Sequence, residues 1–386
     1  MKFAFIIFKY FPFGGMQRDM LRTANELIKR GHQVEVFTLS WQGEAPSQMG
    51  VHVLPQNGWF NYQRYKKFIK ATFNIIQNNH FDYIFGYNRM AGLDAHFAAD
   101  PCFIERAHTQ RGFWYRLAPR TKWFAACEKA IFSADSSTHV LAVSLTEKPH
   151  FQHWYGLPDE RFHYIPPYLS PERFALHDKK KMREHLRETF GFGKNDFVYL
   201  LTGSGFSMKG LDRGILALAA MPKKLRENTR LVAVGQDNPK QFAAMAEKLA
   251  LQNHVVISKG RNDIPMLMQG ADVCVHPAYR ENTGLVILEG MASGAPMLVT
   301  ESCGYAMHVK HADAGIVSAE PFNQEVFNNE WLMMRKALDL ASKSESKWSK
   351  NGLAYTKKIM RDNDGSAEAN ILIQLAEIKN ANKAGQ

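Results

Sequence analysis

The sequence predicts an α/β protein with two doubly wound parallel-sheet domains of the Rossmann type. Its 386 residues exceed the length that one hydrophobic core normally covers. Short apolar runs alternate with helical patterns along the chain, which is typical of βαβ units and therefore of parallel sheets. The alternation stops at Tyr164–Pro167 and then starts again. We expect a first domain over residues 1–167, a second over 168–355, and a helical tail over 356–386 that packs back toward the first.

The first domain opens with a βαβ unit. Lys2–Phe8 is an apolar run that ends at turn residues, as in a strand buried on both faces. A turn with Gly14 and Gly15 follows, and then a helix over Met16–Arg30 whose apolar residues have helical spacing. The further strands predicted here are Gln33–Leu39, Tyr83–Phe85 and Val140–Val143.

The second domain repeats the pattern of buried strands and helices. The predicted strands are Phe197–Thr202, Arg230–Val234, Val255–Ser258, Val273–His276 and Pro296–Thr300. The predicted helices are Leu211–Ala220, Gln241–Leu249 and Leu285–Ala292. Two facing domains of this kind enclose a ligand cleft, and ligands of such folds bind at the carboxyl ends of the strands.

Composition limits the classes of function. Hydrophobic residues make up 45% of the chain, so it is not a disordered protein. No run of eighteen apolar residues occurs, and Phe3–Phe8 is too short for a signal peptide, so we expect a cytoplasmic chain without a membrane-spanning helix. The four cysteines form no CxxC pair, which argues against disulfides and structural zinc. The net charge of +11 indicates an anionic partner: nucleic acid, phospholipid, nucleotide or phosphorylated glycan.

Two glycine-containing turns are candidate anion-binding sites. Gly14–Gly15 precedes a helix, whose first N–H groups attract anions, although a simple tight turn has the same pattern. Lys209 lies in the turn Gly203–Asp212 and is either a point charge for a diphosphate or a solvated lysine. Neither turn matches the GxGxxG fingerprint or the P-loop, which argues against a nicotinamide dehydrogenase.

Two glutamates eight residues apart form the strongest candidate site. Glu281 lies in the loop after a strand, and Glu289 lies in the following helix. Eight helical residues rise about 12 Å, whereas the carboxylates of glycosidases are about 5–9.5 Å apart. A loop carboxylate that contacts a sugar and a helix carboxylate that binds a ribose fit this spacing better, and two solvated acids remain the alternative.

These residues carry a resemblance to a known family. Glu281 and Glu289 resemble the E-x7-E motif of the retaining glycosyltransferases of family GT4, which have the GT-B fold. The lipopolysaccharide core glucosyltransferases of this family are similar along nearly the whole chain, most specifically in the opening motif. The segments concerned are Lys9–Asp19, Phe97–Asp100, Lys209–Arg213, Val234–Asp237, Gly260–Asp263, His276–Tyr279, Cys303–Tyr305 and Ala319–Phe322.

The resemblance implies retaining, metal-independent transfer of a hexose, glucose in the first instance, from a UDP-sugar to an inner-core heptose of lipopolysaccharide. The UDP-sugar is then a substrate, and no cofactor is required. The implied catalytic residues are Asp100, Glu281 and Lys209, with Asp100 in the place where many relatives carry a histidine. The implied donor-binding residues are Gly15, Lys209 and Arg173 for the diphosphate, Glu289 for the ribose, and Arg261, Asn262 and Ile264 for the uracil. Glu281 is implied for the donor sugar, Thr283, Gly284 and Leu285 for the sugar and the phosphates, and Asp19 for sugar or acceptor.

The chain departs from the family pattern at two places. Many members have an arginine five residues before the lysine, where this chain has Ser204, so Lys209 carries more of the diphosphate charge. The usual Phe-Gly of the E-x-F-G segment is Thr283-Gly284, a change that bears on sugar specificity.

The segment over residues 103–132 combines cations with aromatic residues. Such a composition is typical of contact with an anionic membrane surface, and the resemblance points to a protein associated peripherally with the inner membrane. The predicted contact residues are Arg106, Arg111, Trp114, Tyr115, Arg116, Arg120, Lys122 and Trp123. The alternatives are packing within the first domain, a solvated basic face, or single-stranded nucleic acid, which no RNA-binding motif supports.

Three hypotheses of function follow. The first is the core hexosyltransferase, with a UDP-sugar donor, an inner-core acceptor and no nucleic acid. The second is a GT4 enzyme with another donor, UDP-N-acetylhexosamine or UDP-galactose, or another glycolipid acceptor. The third is a non-catalytic basic protein that binds membranes or nucleic acid. The histidines form no ligand cluster, so we predict no metal site.

Overall fold

The computed structural model describes residues 1–12, 14–340 and 346–384, so Phe13 of the opening motif lies outside the described residues. The chain divides into two compact units. Met1–Pro166 and Asn363–Gln386 form the first unit, and Pro167–Asp362 forms the second. The predicted tail began at residue 356, whereas the chain returns to the first unit at Asn363.

The first unit contains a seven-stranded sheet in the order β3-β2-β1-β4-β5-β6-β7, and every neighbouring pair is parallel. The strands are β1 Lys2–Tyr10, β2 Gln33–Trp41, β3 Gly50–Val53, β4 Tyr83–Gly86, β5 Ala95–Ala98, β6 His139–Ala142 and β7 Phe162–Tyr164. The helices along this part of the chain are α1 Gly15–Lys29, α2 Asn61–Gln77, α3 Phe103–Thr109, α4 Phe113–Leu117, α5 Pro119–Phe132 and α6 Lys148–Tyr155.

The second unit contains a six-stranded parallel sheet in the order β10-β9-β8-β11-β12-β13. The strands are β8 Phe197–Thr202, β9 Thr229–Val234, β10 Val255–Ser258, β11 Val273–His276, β12 Met297–Thr300 and β13 Gly315–Ser318. The helices are α7 Lys179–Phe190, α8 Leu211–Ala220, α9 Lys223–Arg226, α10 Lys240–Lys248, α11 Ile264–Gly270, α12 Leu285–Ala292, α13 Ala306–Ala312, α14 Gln324–Leu340 and α15 Lys347–Asp362. The last helix, α16 Ala367–Ala384, belongs to the first unit.

Strand β1 shows why the sheet of the first unit is covered on both sides. Side chains alternate along a strand, so Phe3, Phe5 and Ile7 share one face and pack against residues of α1 and α16. Ala4 and Ile6 point the other way, into a cluster with residues of α2 and α5. A continuous apolar run is therefore required in β1, as the sequence predicted.

In each sheet the strand order reverses at one point. The reversal lies between β1 and β4 in the first unit and between β8 and β11 in the second. At such a switch point the loops after the two strands run in opposite directions and leave a crevice at the carboxyl edge. The fold therefore offers a ligand position in each unit, and the predicted cleft between the domains stays a prediction.

Helix α16 is attached to the first unit through a buried carboxyl group. Glu368 is completely buried, accepts a hydrogen bond from the hydroxyl of Tyr87 at 2.7 Å, and lies 3.5 Å from Arg22 of α1. Burial and the nearby Asp19 raise the pKa of Glu368 to about 7, although Arg22 opposes this. The carboxyl group therefore titrates near neutrality in the folded protein.

We expect Glu368 to make stability depend on pH. Its reference pKa is 4.5 and its folded pKa is about 7, so between these values the folded protein binds the extra proton. The free energy of unfolding must then fall as the pH rises through this window, by about 3 kcal/mol in total. Urea unfolding of the wild type and of Glu368→Gln at pH 5 to 8 measures this difference.

The variant Glu377→Gln, at an exposed position of the same helix, is the control and should keep the wild-type pH dependence. A Glu368→Gln protein that loses stability with pH as steeply as the wild type would contradict the assignment.

Candidate functional site

The loop after β8 is shaped by glycines. Gly203 has φ +112°, and a Cβ atom there would lie 3.0 Å from Cε of Lys209. Gly210 has φ +73°, and its Cβ atom would lie 2.0 Å from the carbonyl oxygen of Pro277, which no side chain tolerates. The N–H of Gly205 donates to Asp237 at 2.7 Å. The close approach of Gly210 places the lysine loop against the loop after β11, and the Gly205 hydrogen bond joins it to the loop after β9.

Lys209 and Glu281 form an ion pair at the switch point of the second unit. Nζ of Lys209 lies 2.5 Å from Oε2 of Glu281, and both side chains are largely buried. Nε2 of the buried His276, the last residue of β11, lies 3.5 Å from the same oxygen. Burial alone would raise the pKa of Glu281, but His276 and Lys209 outweigh it and lower the pKa to about 2. Glu281 is therefore a carboxylate at neutral pH.

The loop that carries Glu281 is fixed by main-chain hydrogen bonds to the loop after β12. The N–H of Gly304 donates to the carbonyl of Glu281 at 3.0 Å, and that of Tyr305 to the carbonyl of Thr283 at 2.7 Å. Gly284 has φ +80° and directly precedes α12, so Leu285 begins the helix. The first N–H groups of a helix are free of intrahelical partners, which favours an anion at this position.

Glu289 is the fifth residue of α12 and is buried. Its Oε1 is 4.0 Å from Nη2 of Arg173, for which the resemblance implies a role as a phosphate ligand. The two predicted donor-binding residues thus lie side by side in the second unit. The nearby guanidinium of Arg173 favours the ionised form of the Glu289 side chain, and a carboxylate can accept hydrogen bonds from hydroxyl groups.

The predicted uracil-binding residues follow β10. Arg261 forms a two-pronged ion pair with Asp263, with both N–O distances at 2.7 Å, and His185 contacts the same carboxylate. The hydrogen bonds from Arg261 lower the pKa of Asp263. Asn262 is exposed, and Ile264 begins α11. The segment lies shortly after β10, at the carboxyl edge of the sheet.

The sequence analysis assigned no role to two residues at this site. His276 contacts Glu281 as described above, and Arg213 donates to the carbonyl oxygens of Pro277 and Ala278 at 3.1 and 3.0 Å. Arg213 also lies between the rings of Tyr279 and Phe322. Both residues lie in segments on which the family resemblance rests, so the motifs could have drawn attention to them. Only their contacts show that they stabilise the loop after β11.

The predicted residues of the first unit lie near its own switch point. Gly15 begins α1, and Asp19 lies in the second turn of that helix, where it pairs with Arg22 at 2.6 Å. Asp100 follows β5 and is exposed. Arg89 donates to the carbonyl oxygens of Asp100 and Pro101 at 2.8 and 2.7 Å, so the Asp100 turn has a defined position.

Comparisons with known proteins agree with this architecture. Residues 13–173 match the model of the family described as Glycosyltransferase Family 4, and residues 182–354 match that of glycosyl transferases group 1. The chain is 40% identical over 352 residues to the lipopolysaccharide glucosyltransferase WaaG of Escherichia coli strain K12, covering 91% of this chain and 93% of that protein. This chain belongs to glycosyltransferase family GT4.

Solved structures support the same assignment. The crystal structure of WaaG, a glycosyltransferase involved in lipopolysaccharide biosynthesis, matches with a TM-score of 0.84 and 38% identity, over 97% of this chain and 99% of that one. The structure of Alr3699/HepE from Anabaena with UDP and glucose matches over 100% of both chains with a TM-score of 0.69 at 17% identity, which shows the shared fold. The predicted α/β class, GT-B fold and glycosyltransferase activity are confirmed.

The enzyme's described residues contain no group of three or more histidine, cysteine, aspartate or glutamate side chains arranged to hold a metal ion. In the same residues, every helix is too short or too polar to cross a bilayer. The predicted independence from metal stays a prediction.

Proposed function

We propose that this glycosyltransferase transfers glucose from UDP-glucose, with retention of configuration, to an inner-core heptose of lipopolysaccharide. The similarity to WaaG over nine tenths of the chain carries the proposal. The Lys209–Glu281 pair at the switch point supplies the chemistry, since it joins a cation for the diphosphate to a carboxylate for the sugar.

In this proposal the second unit binds the donor. A departing UDP gains negative charge, and fixed positive groups near the β-phosphate stabilise the transition state. Lys209 and the N-terminus of α12 provide such groups, and Arg173 adds a second cation in place of the arginine replaced by Ser204. Glu281, ionised because its pKa is about 2, accepts hydrogen bonds from sugar hydroxyls. Glu289 binds the ribose hydroxyls.

Release of UDP by the purified enzyme tests the proposal. UDP-glucose, UDP-galactose and UDP-N-acetylhexosamines are each supplied with and without lipopolysaccharide truncated after its heptoses, in the presence and absence of EDTA. We expect acceptor-dependent release from UDP-glucose that EDTA leaves unchanged. Release from another UDP-sugar supports the second candidate, a GT4 enzyme with a different donor, which Thr283 in the E-x-F-G segment favours. The absence of release from every donor by the folded enzyme would contradict both.

We further propose that the enzyme acts at the cytoplasmic face of the inner membrane, which it contacts through the segment over residues 103–132. Helix α4 in this segment has no buried residue, and Trp114 is 80% exposed. Trp59 and Phe60, before α2, are also largely exposed. Exposed aromatic residues among cations are suited to an anionic bilayer surface. Trp123, by contrast, packs against Tyr62 and Tyr65.

Replacing Trp114 by alanine is expected to weaken binding to vesicles that contain phosphatidylglycerol. An exposed tryptophan that enters the interface buries apolar surface, and its loss should lower the partition coefficient about tenfold. Sedimentation with vesicles measures the coefficient. Met333→Ala removes a half-exposed apolar side chain from α14 and serves as the control. Equal effects of the two substitutions would rule out a specific role of Trp114.

A further inference from the structure

The first unit contains a pocket of about 460 Å³ beside the Asp100 turn. Its walls come from α3, α4 and α5, from the ends of the loops after β4 and β5, and from aromatic side chains such as Phe103 and Phe124. Four arginines line it: Arg89, Arg106, Arg111 and Arg120. A volume of this order is typical of small-molecule sites, which measure roughly 300–1,000 Å³.

The pocket carries a net positive charge. Arg89 is neutralised by the buried Glu128, 2.5 Å away, but the other three arginines form no ion pair with any carboxylate in the described part of the chain. Asp100 is the acidic residue among the residues that line the pocket. Three cations facing one carboxylate favour an anionic ligand.

The arginines are also held in place. Arg111 lies over the ring of Tyr115 and Arg120 over that of Phe124, with the guanidinium carbons 5.5 and 5.1 Å from the ring centres. The Nε atom of Arg106 is buried and has no hydrogen-bond partner among residues 1–12, 14–340 and 346–384. A buried donor without an acceptor is costly, and a bound anion would satisfy it.

We propose that this pocket binds an anionic group, phosphate or carboxylate, of the acceptor saccharide. The inference rests on the proposed function and specifies its acceptor as an anionic glycan. The sequence grouped Arg106, Arg111 and Arg120 with the membrane-contact residues. A bilayer surface is planar, however, whereas these side chains line a concave site with aromatic walls, which suit sugar rings. Asp100 lines the same site and so meets the bound saccharide.

A matched pair of variants on α5 tests the proposal. Arg120→Gln removes a charge that lines the pocket, and Lys129→Gln removes an exposed charge of the same helix outside it. The probe is the water-soluble, deacylated inner-core oligosaccharide with its anionic groups intact, and calorimetry measures its binding to the full-length enzyme. We expect Arg120→Gln to weaken binding about tenfold, because a charge-assisted hydrogen bond is lost. Lys129→Gln should bind as the wild type does.

Vesicle binding shows whether Arg120 contacts the anionic saccharide or anionic lipid headgroups. Vesicles of phosphatidylcholine and phosphatidylglycerol should bind Arg120→Gln and Lys129→Gln equally well. Equal saccharide affinity of the two variants, or a selective loss of vesicle binding by Arg120→Gln, would overturn the pocket proposal and return Arg120 to the membrane surface. Wild-type enzyme that fails to bind the oligosaccharide would also overturn it.

Transfer assays on the same variants distinguish this proposal from the proposed function. Enzyme that binds the oligosaccharide through Arg120 but releases no UDP with it would retain the pocket and reject the glucosyl transfer. Enzyme that transfers glucose with an unchanged acceptor KM in Arg120→Gln would retain the transfer and reject the pocket.

Discussion

Replacing Lys209 by alanine is expected to lower kcat by about 10²–10³-fold, the usual cost of removing one group that stabilises a developing negative charge. Lys209 is the cation of the glycine loop, and the second cation of many relatives is Ser204 here, so the loop offers no substitute. The ammonium group is also held 2.5 Å from Glu281, which fixes its position before the donor binds. The loss should therefore fall on the chemical step more than on the affinity for the donor.

Single-turnover transfer from UDP-glucose, with donor affinity measured separately by calorimetry, tests this expectation. Lys224→Ala, an exposed lysine in the short helix α9, is the control for loss of charge in the same unit. A Lys209→Ala enzyme that is as active as Lys224→Ala would disprove the role of Lys209 in the leaving-group charge.

The ionisation state of Glu281 leads to an expectation for the pH dependence of the rate. Since its pKa is about 2, the carboxylate is ionised across the working range and has no proton to donate. We expect the pH–rate profile of Glu281→Gln to keep the wild-type shape between pH 5 and 9 at a much reduced rate. The loss of an ionisation from that profile would identify Glu281 as a general acid, contrary to the structure.

Replacing Glu128 by alanine is expected to destabilise the first unit by about 3–5 kcal/mol, the typical effect of breaking a buried ion pair. Glu128 is completely buried, and its carboxylate accepts hydrogen bonds from the N–H groups of Phe103 and Ile104 at 2.7 and 2.9 Å and from the hydroxyl of Tyr155 at 2.8 Å. It also lies 2.5 Å from Arg89. Its loss leaves the guanidinium of Arg89 without a counter-charge and the start of α3 without its acceptor.

Urea unfolding of Glu128→Ala, with the exposed Glu160→Ala as the control, measures this effect. The double variant Glu128→Ala/Arg89→Ala should be less destabilised than the sum of the single variants, because it removes the uncompensated charge. Additive effects would show that the pair is not the cause. Arg89 also holds the carbonyls of Asp100 and Pro101, so Glu128→Ala should lower transfer as well.

Much of the fold followed from the sequence. The strands Phe197–Thr202, Val255–Ser258 and Val273–His276 and the helices Leu211–Ala220 and Leu285–Ala292 have the predicted bounds, because each is an apolar run with clear turn residues nearby. The sequence did not predict β3, β5, β7 or β13. These strands have three or four residues. The sequence of β5, Ala-His-Phe-Ala, also has little β-propensity, so β5 gave no clear strand signal.

The sequence by itself determined the class of the protein and the identity of most candidate residues. Lys209 and Glu281 were both named, but as ligands of different parts of the donor. Only the tertiary structure showed that they pair, although 72 residues separate them, because β8 and β11 are neighbours across the switch point of the sheet. The same holds for Arg106, Arg111 and Arg120. Their composition predicted one basic membrane-contact surface, whereas the packing of α3, α4 and α5 places them around a pocket together with Asp100. Composition is read along the chain, but a pocket depends on which loops and helices the fold brings together.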